Sequence, residues 1–309
     1  MRRLNYDNSD LGFSFALTTF VMVVVSLVLQ VVNLGSGSLG FWLTQGVYAV
    51  LIGCSAVLYS FISGTRFVTA TKINKTPKID HLLWGIAAVV CLIFCMSVIN
   101  NLFVTGVGSI DGLEKPSVTL DKNLAGLIIC ACILPAFTEE IVFRGTIAQS
   151  LYYYKNKWGA LAISGALFAL FHANPAQTLH QFVLGAFLTL LVFRSGSVWT
   201  SVLVHFFNNF FVVILSYTPL GADELWDVTK NPQVAVPAML LGILGFVACT
   251  LVYLRTTDSA WNNKPNAQNT DGETEVQEQT ILADQRLSSA PLWVGIFVCV
   301  ALWVSQLLR

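Results

Sequence analysis

The chain alternates between long, uninterrupted apolar runs and short polar segments. Apolar runs of about 18 to 25 residues are long enough to cross the hydrocarbon core of a bilayer as α-helices. In chain order, the runs stand at 12–33, 40–63, 82–105, 124–145, 159–174, 178–194, 197–217, 234–254 and 291–308. The fifth and sixth are the shortest, and only the turn at Asn174 and Pro175 separates them. The pattern predicts an all-α, polytopic bundle of about eight or nine transmembrane helices.

Composition supports a membrane protein and excludes some partners. Of the 309 residues, 55% are hydrophobic and 11% are charged, with a mean hydropathy of +0.68, whereas soluble proteins carry about 25% charged residues. The formal net charge is zero, which argues against nucleic acid as a partner. The seven cysteines all fall within apolar runs and form no CxxC pair, so we predict free, buried thiols.

Basic residues are distributed unevenly over the predicted loops. If the N-terminus is cytoplasmic, twelve of the 17 Lys and Arg residues fall on the cytoplasmic side and four on the other side. The remaining one, Arg144, lies within a predicted span. Cytoplasmic loops of membrane proteins are enriched in Lys and Arg, so we expect the N-terminus to be cytoplasmic.

Changes in composition divide the chain into four regions. Residues 1–110 contain the N-terminal transmembrane helices, and residues 120–254 form a helical core that contains most of the polar residues found within spans. Residues 255–290 include the acidic sequence NNKPNAQNTDGETEVQEQT, a composition typical of a flexible linker. Residues 291–309 are predicted to form a separate C-terminal transmembrane helix.

Two acidic residues lie within a predicted span, where ionisable groups are costly and usually functional. Glu139 and Glu140 are adjacent, and Arg144 follows four residues after Glu140. Residues at i and i+4 share a helix face, so Glu140 and Arg144 are expected to pair. Glu139 is rotated by about 100° from Glu140 and is therefore expected to have a different role. Pro135 is expected to kink this helix and to open space beside it.

Histidine and asparagine occur at helical spacing in two further spans. Phe168 and His172 are four residues apart near the end of the fifth run, and His205 and Asn209 are four residues apart in the seventh. A single membrane histidine is often only an interhelical hydrogen-bonding residue. Three helices that each contribute polar groups favour a functional site. His180, at the start of the sixth run, is interpreted as interfacial or structural.

Hydrolysis of an amide is the chemistry that fits these side chains best. Such a reaction needs an activated water, a proton donor for the leaving amine and donors to the oxyanion. Glu139 with His172 could activate the water, and His205 with Asn209 could donate to the oxyanion. The alternative is zinc held by Glu139, His172 and His205, but a His and Asn pair at i and i+4 is more typical of hydrogen-bond donors. No metal is favoured, and no local pattern pairs serine or cysteine with histidine.

Three short motifs in the order found here resemble those of the CPBP family. This family comprises the CAAX proteases and the bacteriocin-processing or immunity proteins (Abi type), and the resemblance extends over about residues 120–217. The motifs are Glu139-Glu140-x-x-x-Arg144, Phe168-x-x-x-His172 and His205-x-x-x-Asn209. The flanking sequences HANPAQ and FRSGSVWTSVLVH look like those of bacterial members. The resemblance therefore implies a multi-pass protein of the bacterial cytoplasmic membrane.

The resemblance also implies a function and residue roles. It implies an intramembrane endopeptidase that cleaves a membrane-associated peptide or protein. In such a peptidase Glu139 and His172 activate water, and His205 and Asn209 form the oxyanion site. The supporting residues are Glu140, Arg144 and Phe168. The family has been classed as metalloproteases, although the glutamate mechanism needs no metal.

Two other classes of function remain open from the sequence. The chain could be a non-catalytic membrane scaffold or immunity protein that binds and regulates a partner membrane or cell-wall enzyme. A transporter that relays protons through Glu139 and the histidines is less favoured, because the two halves of the chain lack corresponding broken helices. The sequence indicates neither the substrate nor the oligomeric state.

Overall fold

The apolar runs of the sequence form helices in the computed structural model of the protein. The structure describes residues 3–32, 34–35, 37–107, 124–216, 231–261, 287 and 289–308. Within these ranges, eight helices are long and apolar enough to cross a membrane, and a shorter apolar helix spans Lys157–Phe171. The prediction of an all-α, multi-pass membrane protein with eight or nine spans is therefore confirmed.

The helix bounds lie within a few residues of the predicted ones for most runs. The described helices, labelled in chain order, are α1 (Asp10–Val31), α2 (Gly37–Ile62), α3 (Phe67–Ala70), α4 (Ile79–Val107), α5 (Leu124–Leu151), α6 (Lys157–Phe171), α7 (Thr178–Ser195), α8 (Val198–Ser216), α9 (Pro232–Thr256) and α10 (Ala290–Leu307). Asn156 accepts a hydrogen bond from the Gly159 amide and so caps the start of α6. Such caps satisfy amides that have no partner within the helix.

Helix α5 is longer and less regular than the sequence predicts. Its central part, Leu134–Val142, is a regular α-helix, but π-helical stretches flank it at Ile128–Ile133 and Phe143–Ile147. Pro135 lies in the first turn of the central part and has no N–H to donate. The break expected near Pro135 thus takes the form of a π-helical stretch, a feature frequently found at functional sites.

Helix α5 lies between α2 and α8, and the hairpin of α6 and α7 packs beside it. Two glycines bring α6 and α7 close together. A Cβ atom at Gly165 would lie 2.6 Å from the Phe182 carbonyl oxygen, and one at Gly185 would lie 3.0 Å from the Gly165 Cα. Small residues at helix interfaces in membranes allow this close approach. The side chain of Phe168 fills the space next to the contact and is fully buried.

The predicted linker begins with a folded segment. After α9 ends at Thr256, the indole of Trp261 donates to the Tyr152 carbonyl at 2.8 Å, and Arg194 donates to the Thr257 carbonyl at 2.6 Å. The remainder of the linker, residues 262–286, lies outside the described residues. Flexibility of that stretch therefore stays a prediction.

The predicted orientation also stays a prediction. Seven of the basic residues that were counted for it lie outside the described residues: Arg2, Lys115, Lys122, Lys230, Lys264, Arg286 and Arg309.

Candidate active site

The adjacent carboxylates Glu139 and Glu140 lie in different surroundings on the α-helical part of α5. The side chain of Glu140 is 0% exposed, whereas that of Glu139 is 22% exposed. The rotation of about 100° between neighbouring helix positions turns Glu140 towards α8 and leaves Glu139 beside α6. The two carboxylates thus face different partners, as the sequence predicts.

Arg144 is a fully buried cation, and three groups surround its guanidinium. Its Nη1 donates to Glu140 Oε1 at 2.7 Å, and its Nη2 donates to the carbonyl of Gly185 at 3.2 Å. Its Cζ lies 4.1 Å from the centre of the Phe168 ring. Burying two charges is expensive unless the geometry is good and other groups assist, and an aromatic face adds a cation–π attraction. Phe168 thus packs its ring against the buried guanidinium of Arg144.

His205 is joined to the same carboxylate as Arg144. Its Nδ1 lies 2.8 Å from Glu140 Oε1. An ionised carboxylate only accepts hydrogen bonds, so Nδ1 carries the proton when Glu140 is ionised. The other ring nitrogen, Nε2, then carries a proton only in the imidazolium form. His205 is therefore held by Glu140 and not by Glu139.

His172 follows the last residue of α6 and faces Glu139. Its Nδ1 lies 2.8 Å from the Phe168 carbonyl oxygen, one of the final carbonyls of α6 that have no partner within the helix. Since a carbonyl only accepts, Nδ1 is protonated and the neutral ring presents an Nε2 lone pair. This Nε2 lies 3.7 Å from Glu139 Oε2. The separation is too long for a direct hydrogen bond but allows both atoms to contact one water molecule.

Asn209 also contacts α5, but through the main chain. Its Nδ2 donates to the Ala131 carbonyl at 3.1 Å, and its Oδ1 accepts from Asn208 Nδ2 at 3.1 Å. Pro135, four residues after Ala131, offers no N–H to that carbonyl. The two predicted oxyanion donors, His205 and Asn209, thus both have protein partners in the structure.

His180 is the remaining histidine of the predicted core, and the sequence assigns it no catalytic role. It lies in the first turn of α7 and is partly buried. Its Nε2 is buried without a hydrogen-bond partner among the described residues. The interpretation of His180 as interfacial or structural stays a prediction.

The candidate zinc ligands do not converge in this arrangement. Within the described ranges, no group of three His, Cys, Asp or Glu side chains is placed to hold a metal ion. Glu139 and His172 face each other, whereas His205 is turned to Glu140. The residues present therefore do not fit a three-ligand zinc site.

Fold and site together define a multi-pass membrane protein with a buried carboxylate–histidine cluster. Residues 121–211, which contain every site residue predicted from the three motifs, match the family described as type II CAAX prenyl endopeptidase Rce1-like. A stretch of 180 residues is 26% identical to the Bacillus subtilis (strain 168) protein named "Putative membrane peptidase YdiL" and covers 57% of this chain and 74% of that protein. No solved structure gives a significant match.

The resemblance noted in the sequence is thereby confirmed. Residues 121–211 are thus similar to the type II CAAX prenyl endopeptidases, the class that the three motifs indicate. Family and relative support a membrane-embedded protease as the kind of protein this is.

Proposed function

We propose that the chain is an intramembrane endopeptidase in which Glu139 and His172 activate a water molecule. The observation that carries the proposal is the separation of 3.7 Å between Glu139 Oε2 and His172 Nε2. Both side chains are about one-fifth exposed, and the proposed reaction requires that water reach them from this exposed side. The buried Arg144 donates to Glu140 and to the Gly185 carbonyl, and not to Glu139 Oε2 or His172 Nε2.

The chemistry follows from the protonation of His172. With Nδ1–H donated to the Phe168 carbonyl, the Nε2 of His172 and the carboxylate of Glu139 each accept one hydrogen bond from a shared water. The water oxygen attacks the carbonyl carbon of the scissile peptide bond, and Glu139 takes up the proton. That proton then passes to the amine nitrogen as the C–N bond breaks. General acid–base catalysis of this type contributes about 10²- to 10⁴-fold.

His205 and Asn209 are proposed to stabilise the oxyanion, with conditions that the geometry imposes. His205 can donate from Nε2 only as an imidazolium, because its Nδ1 is bonded to Glu140 Oε1. One N–H of Asn209 Nδ2 donates to the Ala131 carbonyl at 3.1 Å. The second N–H of that amide is the one proposed to donate to the oxyanion.

The proposed substrate is a membrane-associated peptide or protein, and the proposed location is a bacterial cytoplasmic membrane. A site enclosed by spanning helices is accessible to a substrate that is itself held at the bilayer. The chemistry is proposed to need no metal, because the candidate ligands do not converge. A membrane-protein partner is compatible with this proposal but no contact indicates one.

A panel of fluorogenic, membrane-tethered peptides tests the proposal. Purified wild type, Glu139→Gln and His172→Ala are compared with and without a zinc chelator. We expect both substitutions to reduce cleavage by about 10²-fold or more and chelation to have no effect. The matched control is Asp258→Asn, the same change at a carboxylate that is 78% exposed, which should cleave like wild type.

Chelator-sensitive cleavage would contradict the metal-free mechanism. Absence of cleavage by every form, together with equal capture of a membrane partner by wild type and Glu139→Gln, would favour a scaffold instead.

A further inference from the structure

The C-terminal helix α10 lies outside the family-matched region but reaches the site. It packs along α1, where a Cβ atom on Gly295 would lie 2.9 Å from the ring of Phe15. Cys299 of α10 lies 3.7 Å from the hydroxyl of Thr19 on the same face. This packing fixes α10 beside the turn that connects α6 to α7.

One side chain of α10 forms a directed hydrogen bond with that turn. The indole Nε1 of Trp303 donates to Thr178 Oγ1 at 2.8 Å. The Thr178 hydroxyl uses its single proton to donate to the Asn174 carbonyl at 2.8 Å. An indole N–H is only a donor, so Trp303 fits the accepting position that this hydroxyl leaves free. The chain of bonds runs from α10 through Thr178 to Asn174.

The turn that receives these bonds directly follows His172. Ala173 has φ +46°, in the left-handed region that residues with a Cβ atom rarely adopt. Asn174 stabilises the turn further because its side chain accepts from the Ala176 amide at 3.0 Å. A strained residue persists only where its surroundings hold it. The bonds at Asn174 and Thr178 are among the contacts that hold the backbone after His172, beside the bond from the Ala173 amide to the Leu170 carbonyl.

We propose that Trp303 is a positioning residue for His172, and that α10 thereby completes the active site. The bond from Trp303 to Thr178 holds the turn 173–178, and the turn sets the direction in which His172 Nε2 faces Glu139. The consequence for catalysis rests on the function proposed above. Since α10 follows the polar segment 262–286 along the chain, a helix distant in sequence controls the geometry of the pair.

The test removes the hydrogen bond between Trp303 and Thr178, first by changing its donor and then by changing its acceptor. Trp303→Phe deletes the indole N–H, and Thr178→Val deletes the hydroxyl while keeping the shape. The matched control is Trp261→Phe, which deletes an indole bond of the same length, to the Tyr152 carbonyl. The first readout is the ¹⁵N NMR spectrum of the imidazole nitrogens in full-length protein, which has only four histidines. His172 is assigned with His172→Asn.

We expect both variants to change the tautomer populations of His172, and the double variant to change them no further. The control should leave the His172 signals as in wild type. The second readout is cleavage: kcat should fall roughly tenfold with KM nearly unchanged, since small displacements of a catalytic group cost this much or more. Thr178→Ser, which restores the hydroxyl, should rescue both readouts even if Trp303→Phe folds poorly.

Wild-type His172 signals and wild-type kcat in Thr178→Val would overturn the proposal. If Trp303→Phe and Thr178→Val shift the His172 signals but the wild type cleaves no peptide, the positioning role stands and the peptidase function is rejected. Conversely, loss of cleavage in Glu139→Gln with unshifted His172 signals in Trp303→Phe would reject the positioning role alone.

Discussion

Two neighbouring carboxylates on one helix illustrate how this bundle separates structure from chemistry. Glu140 is fully buried, and one of its oxygens accepts from both Arg144 and His205 at 2.7 and 2.8 Å. Glu139 is partly exposed, and the nearest ionisable nitrogen, on His172, stands 3.7 Å away. The first carboxylate uses this oxygen to join α5 to α8. The second keeps its hydrogen-bonding capacity available for a ligand or a water molecule.

The same contrast applies to the two histidines. His205 has its Nδ1 on a carboxylate, which orients the ring, and its side chain is 5% exposed. His172 has its Nδ1 on a backbone carbonyl, which also orients the ring, and its side chain is 20% exposed. A polar group that protein partners occupy contributes mainly to stability, and one that is oriented but unoccupied is available for reaction. The site thus has a buried half, formed by Glu140, Arg144 and His205, and a partly exposed half, formed by Glu139 and His172. Substitutions in the two halves should therefore have different effects.

Removing Arg144 should produce the largest loss of stability. Arg144→Met leaves the Glu140 carboxylate buried without its cation, and breaking a buried pair in this way costs about 3–5 kcal/mol. The expected result is a strongly lowered thermal unfolding midpoint or failure to accumulate in the membrane. Arg255→Met, at an exposed arginine, is the matched control. An unfolding midpoint for Arg144→Met equal to that of the control would contradict the structural role of the buried half.

Exchanging each histidine for asparagine should separate the two halves. His205→Asn removes a hydrogen bond to a buried charge, which costs about 1.5–3 kcal/mol, so stability and cleavage should fall together. His172→Asn removes a partly exposed ring whose protein bond is to a helix-end carbonyl, so cleavage should fall with little change in unfolding. Thermal unfolding and peptide cleavage measured on the same samples check both. Equal destabilisation by the two changes would remove the distinction.

A methyl group at Gly185 should have a smaller effect on the buried half. Its Cβ would lie 3.0 Å from Gly165 Cα and from the Phe168 ring, and Phe168 covers the Arg144 guanidinium. Overpacking of this kind costs about 1–3 kcal/mol. Gly46→Ala is the control, since its nearest neighbour would be 3.7 Å away. Similar unfolding midpoints for the two variants would show that the α6–α7 contact tolerates the methyl group.

Part of this arrangement could be predicted from the sequence because it depends on local spacing. Length and hydrophobicity define the spans, and the i, i+4 relation of Glu140 and Arg144 holds wherever the helix forms. The rotation between Glu139 and Glu140 follows in the same way. The proximity of Glu139 to His172, in contrast, was expected from the combination of motifs and from the family resemblance.

The remainder depends on how the helices are rotated and packed, which local patterns do not specify. The contact of His205 with Glu140 depends on the rotation of α8 against α5. The bond from Asn209 to the Ala131 carbonyl depends on a π-helical stretch that Pro135 alone does not predict. Trp303 reaches the turn after His172 only because α10 packs on α1. Tertiary contacts such as these have no signature in a single sequence.

The most direct test of the division between the carboxylates compares Glu139→Gln with Glu140→Gln in one experiment. The two changes are isosteric, adjacent and on the same helix, so each serves as the control of the other. Purified proteins are measured for thermal unfolding and for cleavage of the same membrane-tethered peptide. We predict that Glu139→Gln unfolds like wild type and has lost cleavage, while Glu140→Gln unfolds at a clearly lower temperature. A Glu139→Gln protein that still cleaves, or that is destabilised as much as Glu140→Gln, would contradict the account.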